Sequence, residues 1–448
     1  MKEKPTVTVI GAASTTFGPK VLRDILNHPE VWGGTFRFVD INEDRLSTYD
    51  KLAHRISEVL DEPISITSTT DRREVLAGSD FVIISVDTGH YNTWEVDFTI
   101  PVNLGVRQVT GELGGPGGLF HSLRQIPLHM EIARDIEDLC PDAMVMVCSN
   151  PLNRICLAME RYANVGQIVG LCHGVEMALH LYLNRALGID GDDLDVTAAG
   201  TNHFTWILDL RRKSTGEDLY PYLKQRLAQA DDDQPLSRKL LEVYGYLNGC
   251  LDDHFGEYIP YAYEFCGLEG PGFSGRLEQE YKRWDYLRDL AENKVEWDKY
   301  EQVLGDQSVF SEELRLDAFF APRSWADTLA FPIISAMQSN KLHRMPAIDM
   351  LNCGAITNLP QDVFVEAPAV VDASGIRMES IGDLPKPLAA FCRRDVDQME
   401  LTVEAGITGD RNLVLQAMLL DPVVDNVAVA ERVLDEMLRA HAQYLPQF

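Results

Sequence analysis

Three apolar runs end in residue types that can do chemistry. AMVMVCSNP leaves Asn150 and Pro151 at its end, QIVGLCHG presents Cys172 and His173, and VTAAGTNHF presents Asn202 and His203. A thiolate and an imidazole suit a divalent transition ion, and a side-chain amide suits an oxygenated substrate. Two protein ligands hold an ion loosely, so water or substrate oxygens must complete the shell, as in a catalytic rather than a structural site. Taken singly, Cys172 reads as a small buried hydrophobe, His203 as an ordinary satisfied histidine and Asn150-Pro151 as the start of a turn. Their joint position at strand ends points to a site. A second cluster lies in YGYLNGCLDDHFGE, where Asp252, Asp253, His254 and Glu257 fall within one short segment. Acid–base work uses groups that titrate near neutrality when partly buried or beside a metal; a solvated acidic turn is the plain alternative.

The elements that must position these residues follow a βαβ rhythm. TVTVIG, FRFVD, PISITSTT and FVIISVD alternate with helical stretches, and EDRLSTYDKLAHRISEVL sets Leu46, Tyr49, Leu52, Ile56 and Leu60 on one stripe. The expected fold class is α/β: a Rossmann-like, doubly wound parallel sheet with right-handed crossovers, followed by an α+β second domain. Ligands of such sheets bind outside the carboxyl ends of the strands, so the three endings are expected on one crevice. The first turn, Gly11-Ala12-Ala13-Ser14, departs from GxGxxG: the second glycine is missing and Gly18 comes too late. Its context is nevertheless that of a nucleotide site. Asp40, ending the second strand, would bond ribose hydroxyls and repel a 2′-phosphate, favouring NAD over NADP. A non-nucleotide crossover with a small-residue turn stands beside this reading. Gly11, Ala12, Ser14 and Asp40 are the cofactor-binding candidates, joined by Asp87 at the end of FVIISVD and by Glu112.

Residues 105–120, GVRQVTGELGGPGGLF, are the most glycine-dense segment and are expected to be irregular. A mobile flap over the cofactor is the functional reading and a surface loop the plain one. The helix FHSLRQIPLHMEIARDIEDL follows, with a kink expected at Pro127. Beyond about residue 195 the alternation gives way to α+β texture. Helices are expected at PLSRKLLEVYGYL, RLEQEYKRWDYLRDLAENK, SWADTLAFPIISAMQS, RNLVLQAMLL and NVAVAERVLDEMLRAHAQYL, and strands at FTWILDLR and FVEAPAVVD. The expected division is a nucleotide-binding domain at 1–195 and a domain for substrate, metal and oligomer contacts at 196–448, with the crevice between them.

The 69 acidic residues against 40 basic ones give a formal charge of −29. That balance repels polyanions, so no nucleic acid and no anionic membrane is expected as partner. No apolar run approaches the roughly 18 residues of a membrane span, and the N-terminus lacks the pattern of a secretory signal. The 8 cysteines show no paired spacing, so a reducing, cytoplasmic setting is expected.

Several motifs now converge. GELGGPGG, Arg124-Gln125-Ile126-Pro127, CSNP, GLCHGV, GTNHFTW, Gly245-Tyr246-Leu247 with Asp252 and His254, NCGAITNLPQDVFVEAPAVVD and ELTVEAGITGDRNLVLQAMLLDPVV occur in that order. In order and spacing the chain resembles the NAD- and divalent-metal-dependent glycosidases of glycoside hydrolase family 4 over nearly its whole length. The resemblance implies that Cys172 and His203 hold the metal, usually Mn2+, that Asn150 contacts the sugar, and that the protein is a homodimer or homotetramer. It also implies a mechanism outside the two-carboxylate scheme. Hydride passes from sugar C3 to NAD⁺, the ketone acidifies the proton on C2, a base removes it, and the metal stabilises the enediolate. The group on C1 departs, water adds, and the hydride returns. The family's Gly-Asp-Arg-His pattern stands here as Leu251-Asp252-Asp253-His254, a basic position turned acidic. Asp252 is the first candidate for catalysis and His254 the second, with His173 beside them; Asn150, Arg124 and Asn202 are the candidate substrate contacts. Cys172-His173-Gly174 resembles uronide-cleaving members, and Gly174 would leave room for a charged C6 group. An α-glucuronide or α-galacturonide is therefore the expected substrate, with neutral α-glucosides and α-galactosides as the alternative. An NAD-dependent sugar or hydroxyacid dehydrogenase is the alternative of another class.

Overall fold

A computed structural model describes residues 4–228, 234–292, 294 and 328–448. The first strands are β1 (Thr6–Ile10), β2 (Thr35–Val39), β3 (Ser65–Thr69), β4 (Phe81–Ile84), β5 (Met144–Val147) and β6 (Ile168–Gly170); β4, β5 and β6 are apolar runs buried on both faces, while β3 is a polar, partly exposed edge strand. They pair in parallel in the order β3-β2-β1-β4-β5-β6. Near-continuous apolar strands of this kind are stable only where helices cover both faces. The helix Glu43–Glu58 shows how: Leu46, Tyr49, Leu52 and Ile56 are buried, and the Asn42 side chain accepts from Arg45 N at 3.0 Å to cap its start. The doubly wound α/β architecture is thus as expected.

The second half extends the same sheet. β7 (Leu194–Thr201), β8 (Phe204–Arg212), β9 (Leu247–Asn248), β10 (His343–Leu351), β11 (Phe364–Asp372) and β12 (Gly375–Met378) bring it to 12 strands. Beyond β6 the order is β10-β11-β7-β8-β9, every neighbour antiparallel, with β12 on β11. The three chemistry-bearing endings therefore do not sit on neighbouring parallel strands. β5 and β6 are adjacent, but β10 and β11 separate β6 from β7, and three successive antiparallel pairings reverse β7 relative to β6. The strand HRMPAIDML was not expected. Pro346 interrupts its pattern, and the ladder is irregular there, between Met345 and Ile348.

The glycine-dense segment also differs from expectation. Residues 115–120 are the opening turns of a 25-residue helix, Gly115–Leu139, which continues through Pro127. Close packing explains the glycines. A Cβ on Gly117 would come 2.4 Å from the Gly111 carbonyl oxygen, and one on Gly118 would come 2.2 Å from the Leu113 carbonyl carbon. The preceding turn is pinned rather than free, because Glu257 Oε2 accepts from the amides of Glu112 (2.7 Å), Leu113 (2.8 Å) and Gly114 (3.0 Å). The helices Lys386–Thr408, Arg411–Leu420 and Val427–Ala440 pack back on this region, joining Phe120 and Leu123 to Val414, Met418 and Leu434. The helix expected at SWADTLAFPIISAMQS is seen as Ala330–Ser339; residues 324–327 lie outside the described residues. Among the described residues no helix is long and apolar enough to cross a membrane.

Candidate functional site

A cleft of about 570 Å³ opens at the carboxyl ends of β1, β2, β4 and β5, lined by Gly11, Ser14, Asp40, Asp87, Glu112, Arg124 and Asn150 among others. Its floor is the turn after β1. Gly11 has φ +85°, and a Cβ there would fall 1.9 Å from the Ser85 carbonyl oxygen, so the position requires glycine. Asp40 accepts from Ala13 N at 3.1 Å and Asn42 N at 2.9 Å, which fixes its carboxylate at the rim. Ser14 Oγ accepts from Phe17 N at 3.1 Å, at the start of the next helix. Ala12 is a correction. Its side chain is fully buried in the core beneath the turn, and Ala13 lines the cleft instead.

Deeper in the cleft, Asp87 lies 3.5 Å from His121 Nε2 and accepts from Gln125. Burial by itself would raise its pKa, but the hydrogen bond and charge of His121, with His90 and Arg124, hold it at about 2. Arg124 borders the cleft without being available to it. Its guanidinium is paired bidentately with Asp97 at 2.8 and 2.5 Å, both side chains are 1% exposed, and His441 Nε2 stands 2.8 Å from the same carboxylate. The charge expected for a substrate instead joins helices.

From here a line of polar groups runs to the thiol and imidazole. Asn150, joined to Pro151 by a cis peptide, donates through Nδ2 to Glu112 Oε1 at 3.2 Å. Glu112 Oε2 is 4.0 Å from His254 Nδ1, and Glu257 Oε1 is 3.5 Å from the same nitrogen. The His254 and His203 ring centroids are 5.0 Å apart, and His203 Nε2 is 2.6 Å from Cys172 Sγ. Burial would depress the His254 pKa, but Asp253, Glu257 and Glu112 outweigh it and raise it to about 10. Burial, with the His254 charge, holds His203 well below the usual range and so leaves it a neutral donor. Burial pushes the Cys172 thiol well up, as do the negative fields of Glu366 and Asp349. A cation placed between sulfur and nitrogen reverses that last effect and draws out the thiolate. The donor set therefore fits a divalent ion. Among the described residues no group of three or more His, Cys, Asp or Glu side chains is arranged to hold one, so the coordination would be open.

Three further expectations need correction. Asp252 is buried with its carboxylate at the start of the helix Pro235–Tyr244, accepting from Leu236 N (2.7 Å), Ser237 N (2.8 Å) and Ser237 Oγ. It satisfies a helix end and does not face the cleft. The Asn202 amide is buried and engaged within the protein, donating to Asp349 Oδ2 at 3.1 Å and Glu366 Oε2 at 3.5 Å. Gly174 does not open space for a sugar. A Cβ there would meet Cys250 Sγ at 3.3 Å and His203 Cδ2 at 3.6 Å, so the space beside Gly174 is already filled by protein. His173 is half-buried beside Cys172 and starts the helix Gly174–Met177, its carbonyl accepting from Met177 N at 2.8 Å.

Glu257, expected within the acid–base cluster, is the i,i+3 partner of His254. The residues that sequence reasoning left out are two further carboxylates. Asp349 and Glu366 are acids set among apolar residues within β10 and β11, a signal of a buried polar function.

A nucleotide-type cleft on a Rossmann-like sheet, running into a thiol–imidazole pair, defines the class of protein. The family can now be stated. The family model described as Family 4 glycosyl hydrolase matches residues 6–188, and the Family 4 glycosyl hydrolase C-terminal domain matches residues 198–424. The chain belongs to this family and is a glycoside hydrolase. It is 31% identical to an alpha-galactosidase of Bacillus subtilis (strain 168), covering 99% of each chain, and 30% identical to an alpha-glucosidase of Erwinia rhapontici, covering 98% of each. An alpha-galacturonidase of Bacillus subtilis (strain 168) is 26% identical over 83% of each chain. A 6-phospho-alpha-glucosidase from gut microorganisms, solved in complex with NAD and Mn2+, has the same fold: TM-score 0.83 at 22% identity, covering 100% of each chain.

Proposed function

We propose that this glycoside hydrolase is an NAD- and divalent-metal-dependent α-glycosidase acting on unphosphorylated, neutral hexosides. The observation that carries the reading is the succession Asn150, Glu112, His254, His203, Cys172, each within about 5 Å of the next, leading from the nucleotide-type cleft to the pair that fits a cation. When bound, NAD supplies a reversible hydride acceptor for sugar C3, and the ion a Lewis acid for the neighbouring oxygens. Gly11, Ser14, Asp40 and Asp87 line the place for the dinucleotide, and Cys172 with His203 would hold the ion.

The chain's own side chains do the rest. Asn150 is held by Glu112 with its amide at the cleft, where it orients sugar hydroxyls. His254, kept protonated by Asp253, Glu257 and Glu112, stores a proton for the oxygen departing from C1. Asp253, exposed one residue away, accepts from His254 N at 2.8 Å and is the solvent-facing carboxylate at that end. Glu257 holds the Glu112 turn by its backbone, so the acid and the sugar contact are built from one interaction.

Charge bears on the substrate. The guanidiniums lining the cleft are engaged: Arg124 with Asp97, Arg45 with Glu280, Arg72 with Asp135, and Arg276 with the Pro271 carbonyl while lying over Trp94. Glu112, Asp253 and Glu257 outnumber the single cationic side chain, His254, at the far end. Such a field disfavours a phosphate or carboxylate on C6, in keeping with the alpha-glucosidase and alpha-galactosidase relatives. An α-uronide is the second reading, supported by Cys172-His173-Gly174 and the alpha-galacturonidase relative.

The test is hydrolysis of p-nitrophenyl α-galactoside, α-glucoside, α-glucuronide, α-galacturonide and a 6-phospho-α-glucoside in D₂O with NAD⁺, Mn2+ and a thiol reductant. Aglycone release from a neutral α-hexoside, deuterium at C2 and no accumulating NADH are expected. Preferred cleavage of a uronide would replace the substrate assignment, and NADH build-up without cleavage would overturn the reaction.

A further inference from the structure

His203 lies on a tight turn with a left-handed backbone. β7 and β8 are joined by the two residues Asn202 and His203, with Thr201 paired to Phe204 across the hairpin. His203 has φ +59°, a left-handed conformation that non-glycine residues rarely take. A ligand histidine is ordinarily oriented by an acceptor on its other ring nitrogen. His203 Nδ1 is buried and, among the described residues, has no hydrogen-bond partner. Without such an acceptor, the ring's direction depends on its backbone and on packing against His254.

The backbone is held by two buried carboxylates from the inserted strands. Gly170, Asp349, Glu366 and Gly200 are register neighbours across β6, β10, β11 and β7. Glu366 Oε2 accepts from His203 N at 3.2 Å and from Asn202 Nδ2 at 3.5 Å, and Asp349 Oδ2 accepts from Asn202 Nδ2 at 3.1 Å. With its amide oriented to satisfy both atoms, Asn153 donates to Asp349 Oδ1 at 2.7 Å and accepts from Asn202 N at 2.9 Å. The Tyr258 hydroxyl closes the set by donating to the Asn202 carbonyl at 3.3 Å. Gly170, next to the β6 end that carries Cys172, makes the room: a Cβ there would lie 2.7 Å from Asp349 Cβ. Asp349 and Glu366 are 0% and 1% exposed. Two buried acids placed side by side are costly, so their retention against one turn calls for a use.

We propose that Glu366 and Asp349 are positioning residues for the metal centre, clamping the Asn202–His203 turn so that His203 Nε2 meets Cys172 Sγ. The clamp acts on the ion through the backbone of its ligand, with neither carboxylate in the coordination shell. The inference rests on the cation reading of Cys172 and His203, and its test separates the two.

The experiment measures Mn2+ binding by electron paramagnetic resonance of the free ion, on the full chain without substrate. Wild type and Cys172→Ala come first. If wild type does not bind Mn2+, or Cys172→Ala binds it equally, the cation reading itself fails. With that established, Glu366→Leu is expected to weaken Mn2+ binding 10- to 100-fold, while NAD⁺ affinity and circular dichroism stay as in wild type. Glu366→Gln, which still offers an oxygen to His203 N, is expected to stay within a few-fold. Unchanged Mn2+ affinity in folded Glu366→Leu would overturn the proposal. Equal loss in Glu366→Gln and Glu366→Leu would overturn it in favour of a direct ligand. Should Glu366→Leu not fold, Asn202→Ala breaks the same clamp at the turn: a tenfold or greater loss of Mn2+ affinity supports it, and wild-type affinity refutes it.

Discussion

Replacing Arg124 by leucine tests whether its charge serves the substrate or the fold. The guanidinium and the Asp97 carboxylate are each 1% exposed and joined by contacts of 2.8 and 2.5 Å, with His441 Nε2 2.8 Å from the same carboxylate. Asp97 lies on the helix His90–Asn103 and Arg124 on Gly115–Leu139, while His441 follows Val427–Ala440, so the three groups tie three helices. Removing one partner of a buried pair strands the other charge and costs about 3–5 kcal/mol. Removing both charges costs far less, because the desolvation they impose is relieved together. Arg124→Leu is therefore expected to lose about 3–5 kcal/mol of unfolding free energy in urea titration, and Arg124→Leu/Asp97→Leu to recover more than half of it. KM for the glycoside, measured on folded enzyme at 20 °C, should change less than about threefold in the double variant, since no substrate contact is lost. A KM raised a hundredfold at unchanged urea midpoint would refute the reasoning and return Arg124 to the substrate.

Further outcomes follow from the same geometry. Asp252→Asn keeps one acceptor oxygen at the start of Pro235–Tyr244 and is expected to cost about 1–2 kcal/mol while kcat stays within tenfold; a thousandfold fall in kcat of the folded variant would show that the carboxylate is catalytic. Cys172→Ser is expected to lower kcat at least a hundredfold and weaken Mn2+ binding, with the melting temperature within a few degrees of wild type; normal turnover would remove the thiol from the site. His129 is fully buried, and burial holds its pKa at about 4 against an ordinary 6.5. The unfolded chain therefore binds this proton first as pH falls, so its contribution is complete above pH 6.5 and is lost down to pH 4, by about 3 kcal/mol. His129→Leu should flatten that acid limb of the stability curve, and identical pH profiles for the two proteins would refute the assignment.

Much of the fold was legible because its signals are local. The stripe of Leu46, Tyr49, Leu52 and Ile56 specifies a helix packed by one face, and the doubly apolar strands specify a covered parallel sheet. Donor chemistry is local too: a cysteine and a histidine that end apolar runs could be named as a pair before their distance was known. The glycine-dense stretch misled because glycine marks freedom and tight packing alike. Gly117 and Gly118 exist for the second reason, which shows only when the atoms they touch are in place.

The amino-acid order by itself determined which groups could bind an ion or move a proton, since those properties belong to side chains. Tertiary structure alone decided which of them face the crevice, because that depends on register between strands more than 150 residues apart in the chain, as with Gly200 and Glu366. Two adjacent aspartates, 252 and 253, thereby part company: one caps a helix, and the other is exposed beside His254.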